Sequence, residues 1–152
     1  MSDQVTTVDP LPTDETTALP DLRPTGAFGR SIGLVLDEVT GTRVHGTLEL
    51  GVEHHTPWGV VNGGVYTTVI ESAASIGASA AVLDRGQFAV GVNNNTDFLR
   101  AVREDTVEVV AEPLSQGRVQ QLWQVVITRV SDGKAVARGN VRLQNVPLPD
   151  AG

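Results

Sequence analysis

From Ile32 onward the chain sets apolar-rich runs between short polar breaks. Gly33 to Val39 and Arg43 to Leu50 are two such runs, parted by Thr40-Gly41-Thr42, and they read as a β-hairpin. A loop with Pro57 inside it leads to Asn62-Gly63-Gly64. The next 19 residues, Val65 to Leu83, lack proline and are rich in alanine, which predicts a helix closed by Gly86. Beyond Gly86 the pattern is extended again over Phe88 to Phe98, Thr106 to Pro113, Val119 to Val130 and Ala135 to Val146. Ser115-Gln116-Gly117 and Ser131-Asp132-Gly133 serve as turns. Two strands, one long helix and a run of turn-linked strands make an α+β plan, an antiparallel sheet covered by a helix about 30 Å long. A sheet covered on one face leaves apolar surface or an edge exposed, so the expected assembly is a homo-oligomer, a dimer at least and by preference a tetramer.

Residues 1–27 break this pattern. Pro10, Pro12, Pro20 and Pro24 stand among threonines and five acids, a composition that buries too little to offset its ordering entropy and reads as a mobile tail ahead of one domain over 28–148. Up to Thr25 the segment carries −4 of the formal charge of −7, leaving a modest −3 for the domain. That balance argues against nucleic acid and against an anionic membrane surface as partners, since both need a basic face. Without a basic start, an apolar leader or a span of about 20 apolar residues, the expected location is the cytoplasm. With no cysteine, thiolate nucleophiles and thiolate metal sites are excluded.

On a helical wheel Thr67, Glu71, Ser75 and Ser79 recur every four residues, with Thr68 and Ser72 beside them. An ordinary solvated face would carry several charges, whereas this line of small hydroxyls holds one, Glu71. Two readings stand: contact with a ligand, or packing at a subunit interface with Glu71 paired to an arginine. Upstream, Gly63 and Gly64 lie at the helix start, where free N–H groups and the helix dipole favour an oxygen that is or becomes negative. A tight turn capped by Asn62 is the plainer account of the same glycines. An oxyanion site and a carboxylate one to two turns apart are the two parts thioester hydrolysis requires.

The stretch from His55 through Asn62-Gly63-Gly64 to Glu71 and Ser75 resembles the signature of the phenylacetate-type hotdog thioesterases, G-x-x-H-G-G followed by a helical Asp or Glu. It looks closest to the branch containing the Arthrobacter-type 4-hydroxybenzoyl-CoA thioesterases, and the likeness continues through Val90 to Arg100 and covers nearly all of Phe28 to Val146. The resemblance implies a curved antiparallel β-sheet wrapped around one long central helix, and hydrolysis of an acyl-CoA to free acid and CoA. By position it makes Glu71 the nucleophile or general base and Gly63 the amide that polarises the thioester carbonyl. Ser75 would help place the water, and Thr56 falls where relatives carry Asn or Gln. Asn62 departs from the usual histidine: it can cap a helix but does not exchange protons near neutral pH. No metal or cofactor is implied, coenzyme A being part of the substrate.

Gly64, Thr67 and His55 adjoin these groups and are candidates for substrate contact, as are Arg100, Arg103 and Arg118 for CoA phosphates at a cleft mouth. His54 and His55 otherwise read as solvated loop residues, since no second His or Cys cluster accompanies them, and His45 as a strand residue. Trp58 and Trp123 read as packing residues. Asn93-Asn94-Asn95 followed by Asp97 is unusual for a strand and points to a cleft lining or, by preference, a subunit contact. Two rival functions fit the same fold: a non-catalytic acyl-CoA sensing module, and an acyl-CoA hydratase or dehydratase, against which the lack of a histidine at the glycine turn counts.

Overall fold

Alternation of buried and exposed side chains builds the sheet. In β2 (Val44–Leu50) and β5 (Gln120–Arg129) nearly every second residue is buried, so each strand turns one face inward. The computed structural model describes residues 21–22 and 26–150. In it β1 (Val35–Val39), β2, β3 (Gln87–Phe98), β4 (Asp105–Gln116), β5 and β6 (Ala135–Pro147) form one antiparallel sheet in the order β1-β2-β4-β5-β6-β3. A short helix α1 (Ala27–Ile32) precedes β1, and the long helix α2 (Gly63–Ala80) packs on the inner face. β1 and β3 are therefore the two edges.

The core forms where α2 meets the strands: Val69, Ile70, Ala73 and Ala74 against Val107, Val109, Val125, Ile127 and Val141, all fully buried. Gly77 lets the helix come down on the indole of Trp123, for a Cβ there would lie 2.5–2.6 Å from the ring. The far end of α2 is pinned by a buried amide network. Gln121 Nε2 donates to the Ala78 carbonyl (2.9 Å) and to Asn145 Oδ1 (2.8 Å), while Trp123 Nε1 donates to Gln121 Oε1 (2.9 Å). A satisfied network of this kind fixes the angle and register of the helix on the sheet.

The expected one-helix α+β plan is what the chain adopts, with several boundaries displaced. α2 starts at Gly63 rather than Val65, because Asn62 Oδ1 accepts from Gly64 N (2.8 Å) and draws both glycines into the first turn. It stops at Ala80, and Leu83–Arg85 form a separate 3₁₀ turn closed by Gly86 at φ 65°. β4 runs on through Pro113 to Gln116, a bulge between Pro113 and Ser115 absorbing the proline, so Ser115 and Gln116 are strand residues. α1 was not expected: six residues with none buried give no periodic signal. The stretch read as a mobile tail lies outside the described residues except for 21–22 and 26–27, where Ala27 opens α1 and Leu22 packs partly buried against the core.

Two side chains depart from their expected settings. His54 is buried, not solvated: its Nε2 meets the Ile32 carbonyl (3.0 Å) and its Nδ1 accepts from Gly51 N (3.1 Å), tying the loop after β2 to the end of α1. Trp58 is 81% exposed at a loop tip instead of packed, whereas Trp123 is fully buried. No helix among the described residues is long and apolar enough to cross a membrane.

Candidate active site

Helix α2 lays its polar line along the edge strand β3, which runs antiparallel to it, so Ser79 and Glu71 meet strand residues in reverse order of sequence. Ser79 Oγ accepts from Ala89 N (3.0 Å) and is buried, which makes it a fastener between helix and strand. Two turns nearer the N-terminus, half-buried Glu71 presents Oε2 to Asn94 Nδ2 (3.0 Å) and directs Oε1 at Gly91, where an added Cβ would fall on that oxygen. Asn94 Nδ2 also donates to the Thr67 carbonyl (3.3 Å), and its Oδ1 accepts from Thr96 Oγ1 (2.7 Å). The partner of the carboxylate on this side is thus a neutral amide and not an arginine.

At the start of α2 the two glycines differ. The Gly64 N–H is taken by the Asn62 cap, while the Gly63 N–H meets no acceptor among the described residues and points out of the helix at its positive end. Phe98, at the last position of β3, flanks this amide: its ring lies 2.8–3.1 Å from where a Gly63 Cβ would stand, so any side chain there would collide with it. The ring is 58% exposed and tilts against buried Tyr66 at a centroid distance of 6.2 Å. Burial pushes the Tyr66 phenol up to about 12, keeping it neutral. Thr67 and Thr68 turn their hydroxyls back onto the carbonyls of Gly63 (3.2 Å) and Gly64 (2.8 Å), four residues earlier in the same helix.

Other expected site residues scatter around this line. Ser75 is half-buried one turn beyond Glu71. Thr56 belongs to the tight turn before the helix, its Oγ1 accepting from Trp58 N (3.3 Å), and Gly59 closes that turn at φ 72°. His55 Nε2 meets the Arg103 carbonyl (2.7 Å) and joins the turn to the loop after β3. Arg103 is exposed beside Gly59 and lines a cavity of about 410 Å³ with Val60, Asp105 and Arg129, and Arg100 Nη1 donates to the Ala135 carbonyl (2.6 Å). Arg118 sits at the other end of the sheet, where its carbonyl accepts from Asn145 Nδ2 (3.0 Å). Asn145 pairs with Ala89 while Ala137 pairs with Phe98, and those nine strand positions span about 30 Å, so one protomer does not bring Arg118 to the Arg100–Arg103 end. Gly91, Thr96 and Phe98 were not singled out from the sequence, and within the asparagine run nothing distinguished Asn94, the member that faces the helix.

The profile of the Thioesterase superfamily matches residues 59–136, which include Gly63, Glu71 and the whole of β3. Rv1847 of Mycobacterium tuberculosis, named as an esterase, is 44% identical over 82% of this chain and 90% of its own length. Its solved structure superposes with a TM-score of 0.77 at 43% identity, covering 80% of this chain and 98% of that one. The 1,4-dihydroxy-2-naphthoyl-CoA hydrolase of Listeria monocytogenes is 30% identical over 64% of this chain and 79% of its own length. The Haemophilus influenzae thioesterase HI1161 gives a TM-score of 0.75 at 25% identity, covering 84% of this chain and 89% of that one. With a helix start and a carboxylate placed as described, and with these likenesses over most of its length, the chain belongs to the thioesterase superfamily, as an enzyme of the hotdog fold that hydrolyses thioesters.

Proposed function

We propose that the thioester cleaved is an acyl-CoA, with Glu71 as the catalytic carboxylate and the Gly63 N–H polarising the carbonyl. The observation that carries this reading is the pairing, on one helix, of a lone carboxylate held by a neutral amide with a helix-terminal N–H left without an acceptor among the described residues. The Listeria relative, named as a CoA-ester hydrolase, supports the substrate class. Glu71 acts in one of two ways. It attacks the thioester carbon, expelling the CoA thiolate and leaving a mixed anhydride for water to hydrolyse, or it takes a proton from water as that water attacks. In both routes negative charge grows on the carbonyl oxygen, and a fixed N–H at a helix start stabilises it most at that moment. Ser75, one turn further on, is placed to steady the water, and Arg100 and Arg103 supply cations near the Gly63 end for the phosphates.

Gly63 and Glu71 are eight residues apart, about 12 Å along the helix axis, so one carbonyl does not touch both within a single chain. Strand β3 is an edge of the sheet, pairing with no second strand among the described residues. A second copy pairing antiparallel along that edge, centred opposite Thr67 and Asn94, would carry its Gly63 toward the first copy's Glu71. We therefore read the working unit as a homodimer at least, and the tetramer as a pair of such dimers. The test is release of free thiol from a panel of short, medium, long and aromatic acyl-CoAs, by the wild type and by Glu71→Ala. A loss of about two orders of magnitude or more in the folded variant is expected. Binding of acyl-CoA without release by the wild type would point instead to a sensing module.

A further inference from the structure

Strand β3 does not keep a single alternation. Gly91 pairs with Leu143 and Asn93 with Arg142, so Val92 is an extra residue and the strand carries a β-bulge. On the near side Ala89 and Gly91 face the helix. On the far side Asn94, Thr96 and Phe98 pair with Val141, Gly139 and Ala137, which are all buried, and so face inward too. An unbroken strand would have turned Asn93, Asn95 and Asp97 toward α2, placing an acid beside Gly63 and taking the Asn94 amide away from Glu71. The bulge therefore selects which of three consecutive asparagines meets the carboxylate.

The orientation of that amide is fixed as well. Its nitrogen faces two groups that only accept, the Thr67 carbonyl and Glu71 Oε2, while its oxygen takes the Thr96 hydroxyl proton. Turning it over would set its oxygen against two acceptors and leave the Thr96 hydroxyl facing an NH₂ group. Thr96 in turn has room because Gly139 stands opposite: a Cβ on Gly139 would lie 2.7 Å from Thr96 Oγ1 and 2.9 Å from Ile70 Cγ2. On the other side Gly91 offers no side chain, so Glu71 Oε1 lies over bare backbone.

Building on the reading of Glu71 as the catalytic carboxylate, we propose that Asn94, oriented by Thr96 and aimed by the Val92 bulge, is a positioning residue that holds Oε2 and leaves Oε1 as the oxygen presented to the substrate or its water. A carboxylate on an otherwise free glutamate samples several rotamers. One donor on one oxygen, with open backbone under the other, narrows these to the working arrangement, and a misplacement of about 1 Å can cost about a hundredfold in rate.

The test uses the acyl-CoA that the wild type cleaves fastest, with melting curves to show that each variant is folded. Asn94→Ala is expected to lower kcat at least about tenfold with KM held within about twofold, since the amide touches the carboxylate and not the substrate. Asn94→Asp, equal in size, keeps the packing should the alanine variant fail to fold, and is expected to lose as much because it sets an oxygen against Oε2. Thr96→Val loses part of the same kcat and Thr96→Ser recovers it. On a Glu71→Ala background, Asn94→Ala adds no further loss. Wild-type kcat in Asn94→Ala or Asn94→Asp while Glu71→Ala is inactive overturns the positioning role and leaves the catalytic reading standing, as does a change confined to KM. Wild-type thiol release by Glu71→Ala removes the catalytic reading and this proposal with it.

Discussion

Both edges of the sheet are broken by a bulge, and the two are put to different uses. On β1 the extra residue is Asp37: Leu36 pairs with Gly46 and Glu38 with His45, so Val39 comes opposite Val44 at the exposed end of the strand. What collects there is charge. His45 Nδ1 meets Asp37 and its Nε2 lies 3.5 Å from Glu108, while Arg43 bridges Glu38 (3.1 Å) and Glu112 (2.6 Å). On β3 the same backbone device turns Asn94, Thr96 and Phe98 onto α2, where one neutral amide donates to one carboxylate. Exposed ion pairs in water are worth little, typically 0 to about 1 kcal/mol each. An amide partner, unlike a guanidinium, brings no countercharge to the carboxylate, which suits the role proposed for Glu71. A bulge is thus a neutral instrument, and the side chains it re-aims decide whether an edge gathers ion pairs or holds the carboxylate proposed as catalytic.

Substitution at the glycine of each bulge separates the two uses. Gly91→Val places a side chain on the position of Glu71 Oε1, at an exposed strand residue with no core to disturb. Thiol release is expected to fall by about a hundredfold or more, with the melting temperature little changed. Gly46→Ala does the reverse: its Cβ would lie 2.5 Å from the Val35 carbonyl oxygen and 2.8 Å from Leu36 Cδ2, forcing β1 away from β2. Denaturant unfolding should show a loss of about 1–3 kcal/mol, typical of overpacking, with kcat unchanged where the protein is folded. Equal losses of activity and stability in both variants would erase the distinction between the edges.

The sequence was more legible for the fold than for these edges. Strand and helix positions follow from apolar alternation and from an alanine-rich run without proline, and Glu71 stood out as the one charge in a line of hydroxyls. A bulge leaves its mark by reversing the alternation, and Val92-Asn93-Asn94-Asn95-Thr96-Asp97 is polar almost throughout, so there was no alternation to reverse. The unusual run of amides was visible, but which of them faces Glu71 was not. His54 misled for a related reason, its burial resting on the Ile32 carbonyl 22 residues away in sequence. Trp58 misled in the opposite sense, because the turn at Gly59 carries it outward where composition alone suggests packing.

The comparison sharpens at the helix start, where cap and candidate oxyanion site share a turn. Asn62→Ala removes the acceptor for Gly64 N and should cost about 1 kcal/mol of stability, within the usual range of about 0.5–2. Because the same cap holds the Gly63 N–H in place, kcat should fall as well, by a smaller factor than for Gly91→Val. Asn62→Asp keeps the cap and should retain both. Stability lost without any change in kcat would confine Asn62 to folding and weaken the part given to Gly63.

The smallest effect is expected at the charged edge, and pH is the means to see it. The hydrogen bond to Asp37, helped by Glu108 and opposed by partial burial, raises the His45 pKa above its ordinary 6.5. The imidazolium donates to Asp37 and lies 3.5 Å from the Glu108 carboxylate, and so links β1 to β4 across β2. Since the folded state holds the proton more tightly than the unfolded chain, the stabilisation is fully present below about pH 6.5 and is lost as pH rises through the raised value. His45→Gln, which keeps a polar side chain without the titration, should therefore be less stable than the wild type at pH 6, by at most about 1 kcal/mol for so exposed a pair, and equal to it by pH 9. Denaturant melts at those two pH values read the difference, and kcat measured at pH 6 should be the same in both proteins. A pH-independent gap would mean that His45 contributes packing and not charge, and a change in kcat would mean that the two edges are coupled through the sheet.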